Sequence, residues 1–321
     1  MKTTGKNEHR RHAVKPIRVL GELDEAVKGG PRMTLAVAAG EDSATLNAIA
    51  RGVVDGLIKV IVVGNRERIT EAATGLSREF ADMVEIIHVE EETAVAEAAV
   101  QLVHDGRADF LMKGLIGTAT FMKAVLDKQK GLVQAGGLMS HVAVMQVPSY
   151  PKLILVSDAA IIPNPTMDDK VTILNYAVEV AHGLGIEMPK AALVSAEEKI
   201  NFRLQSSIDA AVIKAMAERK QIRGVIVDGP LALDVALSKE HCRIKELDSP
   251  IDGEADILIF PNIETANTFY KSVTLLAQGK SASITVGTRA PVVVSSRADD
   301  DDTKFYSIVL AARIASHRTR S

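Results

Sequence analysis

Short apolar runs alternate with helical patterns along almost the whole chain, and this alternation constrains the fold more than any other feature. Residues 34–39 (TLAVAA) have the length and apolar content of a strand buried on both faces. Leu46, Ile49, Ala50, Val53, Val54 and Leu57 then recur at helical spacing behind Ser43, a residue type that caps helix starts. Strands over 59–63 (KVIVV), 84–89 (VEIIHV) and 110–113 (FLMK) follow, with a helix over 93–104 between the last two and another over 118–128. The repeated βα order predicts an α/β fold, its mainly parallel sheet flanked by helices on both faces.

The pattern breaks at residues 131–137 (GLVQAGG), a Gly-rich stretch suited to a domain crossover. Runs 141–147 and 153–156 are joined only by Pro148-Ser149-Tyr150-Pro151, a link short enough to imply an antiparallel pair. Alternation then resumes: helix 167–182, strand 191–194, helix 208–219, strands 224–227 and 256–260, helix 265–278, strands 283–286 and 291–294, and helix 303–315. At 321 residues the chain exceeds one simple core and suits two domains.

Composition narrows the function. The formal net charge is -3, so nothing favours nucleic acid or an anionic membrane as partner. The absence of Trp and an aromatic content of 3% argue against base-stacking platforms. No apolar run reaches about 18 residues, so no membrane span is expected. Cys242 is the only cysteine, which excludes an internal disulfide and fits a reducing, cytoplasmic setting. It follows His241, but adjacent helical residues point apart, so a catalytic thiol is not expected. The polar, basic N-terminus lacks the apolar core of a secretory signal, and its first stretch is expected to fray or dock loosely.

Several familiar motifs are missing. No G-x-G-x-x-G follows the first strand, and no P-loop or G-x-S-x-G elbow occurs. Without Cys pairs or H-E-x-x-H, no zinc site is expected. His141 and His182 lie in apolar surroundings and read as satisfied core or surface histidines.

Chemistry is therefore expected in the loops that leave strand ends, where helix N-termini gather. Lys113-Gly114-Leu115-Ile116-Gly117-Thr118 offers a lysine, backbone amides and a hydroxyl for an anion. The segment 157–166 holds Asp158 and Asn164, is stiffened by two prolines, and ends in Thr166, a helix cap. Asp228 and Asp234 flank a tight turn, and Asn267 and Lys271 share a helix face at i and i+4. Ser296 and Arg297 supply a neutral donor and a planar fork suited to phosphate. The run Asp299–Asp302 contains a candidate base, and equally reads as an acidic helix start.

Taken in order, residues 157–166 (SDAAIIPNPT), 228–234 (DGPLALD), 260–271 (FPNIETANTFYK) and 290–302 (APVVVSSRADDDD) resemble the phosphate acetyl/butyryltransferase family. The resemblance runs from about Met33 to Ala315. Residues 113–126 (KGLIGTATFMKAVL) look more like the butyryl branch; the acetyl branch carries a His and an Arg-Pro pair where Gly117 and, within one residue, Lys123 stand here. The resemblance implies two α/β lobes with a cleft between them, residues 1–137 plus 288–321 forming one and 138–287 the other. It implies reversible transfer of a short acyl group, butyryl by preference and acetyl as the alternative, between coenzyme A and inorganic phosphate. Both are substrates; no bound cofactor or metal is expected, and the assembly would be a cytoplasmic homodimer. Ser296 and Arg297 would hold the reacting end of the substrate, and an aspartate after them, Asp302 by count, would be the base for the thiol. Lys113, Gly114, Thr118, Lys123, Asp158, Asn164, Asp228, Asn267 and Lys271 are the expected substrate-binding residues.

Two other readings compete. A metal-dependent decarboxylating dehydrogenase also has two α/β lobes and would use Asp158, Asp228 and Asp234 for a divalent ion. A non-catalytic CoA- or phosphate-binding module would not need a base.

Overall fold

The computed structural model describes residues 15–134, 136–296 and 299–319. The basic stretch 1–14, where fraying was expected, and Arg297 lie outside them. Eleven strands form one sheet in the order β3-β2-β1-β4-β11-β10-β5-β6-β9-β7-β8. They are β1 (Met33–Ala38), β2 (Ile58–Gly64), β3 (Val84–His88), β4 (Phe110–Lys113), β5 (Ser140–Gln146), β6 (Ile154–Ser157), β7 (Lys190–Val194), β8 (Ile226–Leu231), β9 (Ile257–Ile259), β10 (Lys280–Val286) and β11 (Val292–Val294).

Strands β3, β2, β1, β4 and β11 pair in parallel, as do β6, β9, β7 and β8. The two sets are joined through β10 and β5, which pair antiparallel with each other and with their outer neighbours. The antiparallel link between β5 and β6 follows from their short connection, as the sequence implies. Parallel strands here read as near-continuous apolar runs because both faces are covered, and Leu35, Ala36, Val37 and Ala38 are all fully buried.

The helices are α1 (Glu22–Val27), α2 (Ser43–Val54), α3 (Arg66–Ala72), α4 (Arg78–Met83), α5 (Glu92–His104), α6 (Thr118–Val125), α7 (Met167–Gly183), α8 (Gln205–Glu218), α9 (Leu233–Leu237), α10 (Lys239–Ile244), α11 (Ile263–Leu276) and α12 (Asp301–Arg318). The short α1, α3, α4, α9 and α10 span too few turns to show a period in the sequence. The cap of α2 is Asp42, not Ser43: the Asp42 carboxylate accepts from the Thr45 amide at 2.8 Å. Thr166 caps α7 as expected, in a reciprocal capping box with Asp169. Strand β8 extends through Asp228-Gly229-Pro230, so these residues belong to a strand and not to the turn expected after it.

Helix α12 positions the site. Phe305, Ile308, Ala311, Ala312 and Ala315 bury its inner face. Arg51 of α2 lies 3.6 Å above the Phe305 ring, a cation–π contact that ties these helices. At the other end, Arg313 Nε donates to the Gly183 carbonyl at 2.8 Å, and Arg318 pairs with Glu179 of α7. One helix thus spans elements from both halves of the sheet.

Candidate active site

Because β4 lies between β1 and β11, all parallel, their carboxyl ends come together. The loops that leave them enclose a cavity of about 140 Å³, lined by Asp42, Thr45, Lys113, Gly114, Ser296 and Lys304 among others. A cavity of that measure, partly open to solvent, has room for a small anion.

The loop after β4 is laced to the loop after β1. The Gly114 and Leu115 amides donate to the Ala38 and Ala39 carbonyls at 2.8 and 2.6 Å. A Cβ on Gly114 would stand 2.2 Å from the Ala39 oxygen, so only glycine permits this approach. The Ile116 amide donates to the Gly114 carbonyl, and the Gly117 amide to Glu92 Oε1 at 2.8 Å. All four loop amides are thus committed within the protein, and the amide cradle expected from the sequence is not available to an anion. Lys113 is buried and donates to the Gly114 and Ile116 carbonyls, each at 3.1 Å. Lys304, in the first turn of α12, is also buried, at 5% exposure.

The segment after β11 folds back on itself. The Ser296 amide donates to Asp299 Oδ2 at 2.7 Å, and the Asp299 amide to the Ser296 carbonyl. Burial raises the Asp299 pKa; the Ser296 amide and the Lys304 charge oppose this without cancelling it. Asp300 caps α12, accepting from the Thr303 amide at 2.7 Å, and that bond lowers its pKa. Asp302 faces outward: 47% of its side chain is exposed, and it meets Arg51 at 3.2 Å and Lys280 at 3.3 Å. Asp299, Asp300 and Asp302 therefore differ sharply although they lie within four residues of one another.

His141, on β5, joins this neighbourhood. Its Nδ1 is buried and has no hydrogen-bond partner among the described residues, so it is not the satisfied histidine that the sequence suggests. Burial lowers its pKa, against the upward pull of the Asp158 and Asp299 charges. His182 does fit that reading, with Nε2 3.0 Å from the Gly224 carbonyl.

The other expected residues are dispersed. Asp158 is buried and saturated: Ser140 Oγ and the His141 amide donate to one oxygen, the Ala160 and Ile161 amides to the other. Asn267 donates to the Ala159 carbonyl at 2.9 Å and so braces the same turn. Asn164, Thr118 and Lys271 are exposed. Lys123 is exposed on α6 and lines a separate cavity of about 550 Å³ between α5 and α6. Asp228, on the edge strand β8, is held by Lys214 at 2.6 Å and Ser249 at 2.6 Å. Cys242 is buried, its Sγ donates to the Val235 carbonyl, and burial raises its pKa, which removes it from nucleophilic chemistry. Among the described residues, no group of three or more His, Cys, Asp or Glu is arranged to hold a metal ion. No described helix is long and apolar enough to cross a membrane.

Lys304, Asp42 and Thr45 were not expected in the site. A signal for Lys304 was present: it precedes Ile308 by four residues and Ala311 by seven, which puts a lysine on the apolar stripe of α12.

Polar loops gathered at the carboxyl ends of parallel strands, around a small cavity, define the class as an α/β enzyme. Residues 92–312 match the family described as phosphate acetyl/butaryl transferase. The phosphate butyryltransferase of Clostridium acetobutylicum is 41% identical over 302 residues, 94% of this chain and 100% of that protein. The phosphate acetyltransferase of Thermotoga maritima is 41% identical over 296 residues, covering 92% and 99% of the two chains. A branched-chain phosphotransacylase from Enterococcus faecalis superposes with a TM-score of 0.77 at 34% identity, over 88% of this chain and 99% of its own. The chain belongs to the phosphate acetyl/butyryltransferase family and is an acyltransferase.

Proposed function

We propose that this enzyme moves a short acyl group reversibly between coenzyme A and inorganic phosphate, with butyryl as the preferred chain and the cavity beside Ser296 as the phosphate site. The observation that carries the reading is the pair of buried lysines, Lys113 and Lys304, in an anion-sized cavity next to Ser296. In the direction of acyl-CoA synthesis, a base removes the thiol proton and the thiolate sulfur attacks the acyl carbonyl of the acyl phosphate. The C–S bond forms as the C–O bond breaks, and phosphate leaves with the electron pair. Free thiols have a pKa near about 8.5, so modest general-base help suffices at neutral pH. Arg297 neutralises the leaving phosphate and Ser296 donates to the developing negative charge. Ordering two substrates together contributes more, roughly 7–11 kcal/mol.

Asp299 is a better base than Asp302 in this reading. It is half-buried behind Ser296 with a raised pKa, whereas Asp302 is engaged by two surface cations. Lys113 and Gly114 shape the phosphate site. Asp158, Asn164 and Asn267 would act on the other side through the turn after β6, and Thr118, Lys123, Asp228 and Lys271 would contact the CoA chain only if it extends well beyond the cavity. The enzyme would work in the cytoplasm as a homodimer, with lobes 1–137 plus 288–321 and 138–287 closing over the substrates.

Thiol release from acetyl-, propionyl- and butyryl-CoA in the presence of phosphate tests the activity and the chain length together. Arg297→Ala should nearly abolish turnover with an unchanged circular dichroism spectrum; near-wild-type activity would remove Arg297 from the site. The second acyl chain, acetyl, is favoured by the equal identity to the Thermotoga maritima phosphate acetyltransferase.

A further inference from the structure

Lys304 is a charged side chain with 5% exposure that, among the described residues, donates no side-chain hydrogen bond and forms no ion pair. A lysine exposed this little keeps few water contacts for its ammonium, so an anion that comes within reach is favoured as a partner. It lines the cavity with Lys113, Thr45 and Ser296. Asp299 and Asp300 attract its charge, but among the described residues neither comes close enough to form an ion pair with it. Asp299 interacts with it only at longer range and spends an oxygen on the Ser296 amide, Asp300 spends one on the Thr303 amide, and Asp42 one on the Thr45 amide. Lys113 differs, because its ammonium donates to two carbonyls.

We propose that Lys304 is a phosphate-binding residue: its ammonium donates to an oxygen of inorganic phosphate, or of the phosphoryl group of the acyl phosphate, inside this cavity. This deepens the proposed function and rests on it. The cavity, at about 140 Å³, has room for a single phosphoryl group beside the ammonium. A charge-assisted bond of this kind supports a tenfold to hundredfold effect, on the order of 1.5–3 kcal/mol.

The experiment is steady-state kinetics of Lys304→Met and Lys304→Arg with inorganic phosphate and acyl-CoA varied separately. Lys304→Met should raise the KM for phosphate about tenfold to hundredfold and leave the KM for acyl-CoA within about twofold, while Lys304→Arg restores most of the phosphate affinity. An unchanged phosphate KM, or equal rises in both KM values, overturns the assignment. If Lys304→Met does not reach the wild-type circular dichroism spectrum, the decision passes to the wild-type protein. There, inorganic phosphate must slow trinitrobenzenesulfonate labelling of Lys304, read by peptide mass spectrometry, and an unchanged rate overturns the proposal. The two failures separate cleanly: a wild-type protein without phosphate-dependent thiol release refutes the acyl-transfer reading, whereas an active wild type with unaltered phosphate kinetics in Lys304→Met refutes the role of Lys304 alone.

Discussion

At the scale of single residues, the acids 299–302 show how far environment outweighs identity. Burial raises the pKa of Asp299, its cap bond lowers that of Asp300, and Asp302 sits among surface cations. Replacing Asp299 by Asn should reduce kcat by about 10²–10⁴-fold, the usual worth of a general base. Replacing Asp302 by Asn should cost far less; the reverse order would restore Asp302 to the role its count from Arg297 suggests. A raised pKa also fixes two signs. Activity should fall as pH drops through the Asp299 pKa, above the usual 3.8 of a carboxylate, and this acid limb should vanish in Asp299→Asn. A group whose folded pKa exceeds its unfolded value stabilises below the unfolded pKa and loses that contribution as pH rises through the folded one. At neutral pH, Asp299→Asn should therefore be no less stable than wild type by thermal melting, so lost activity is not lost fold.

At the scale of elements, the site depends on close approach between loops and on paired charges between helices. Gly114→Ala would drive a Cβ into the Ala39 carbonyl and force apart the loops after β1 and β4. Its expected cost, at least about 1–3 kcal/mol, should appear as a lowered midpoint in urea unfolding together with reduced phosphate affinity. In the other half, Lys170 of α7 and Asp209 of α8 form a buried pair at 2.6 Å. Asp209→Ala leaves the lysine charge buried and unanswered and should cost about 3–5 kcal/mol. The double change Lys170→Met with Asp209→Ala should recover part of that loss in the same measurement.

At the scale of the whole molecule, the sheet does not stop at the Gly-rich break. Strands β10 and β5 connect the two parallel sets, and α12 is tied to α2 by Arg51 and to α7 by Arg313 and Arg318. Shared sheet and shared helix predict one cooperative thermal transition, with calorimetric and van't Hoff enthalpies in agreement. Two resolved transitions would mean instead that lobes 1–137 plus 288–321 and 138–287 melt independently. Proteolysis confined to the segment 131–137 under native conditions would place their hinge there.

The α/β class, the long helices and the antiparallel step at Pro148–Pro151 were legible in the sequence because hydrophobic periodicity and short links are local properties. The short helices were not, since they span too few turns to show a period. The loops at strand ends were also legible as places for chemistry, and the order of their motifs identified the family. What separates working residues from bracing ones was not. Asp158 and Asp228 look like ligands in sequence and prove to be saturated by their neighbours, while Lys304, which the sequence reading did not single out, is buried at the cavity. Partnership and burial are set by residues distant in the chain, so only the tertiary structure decided them.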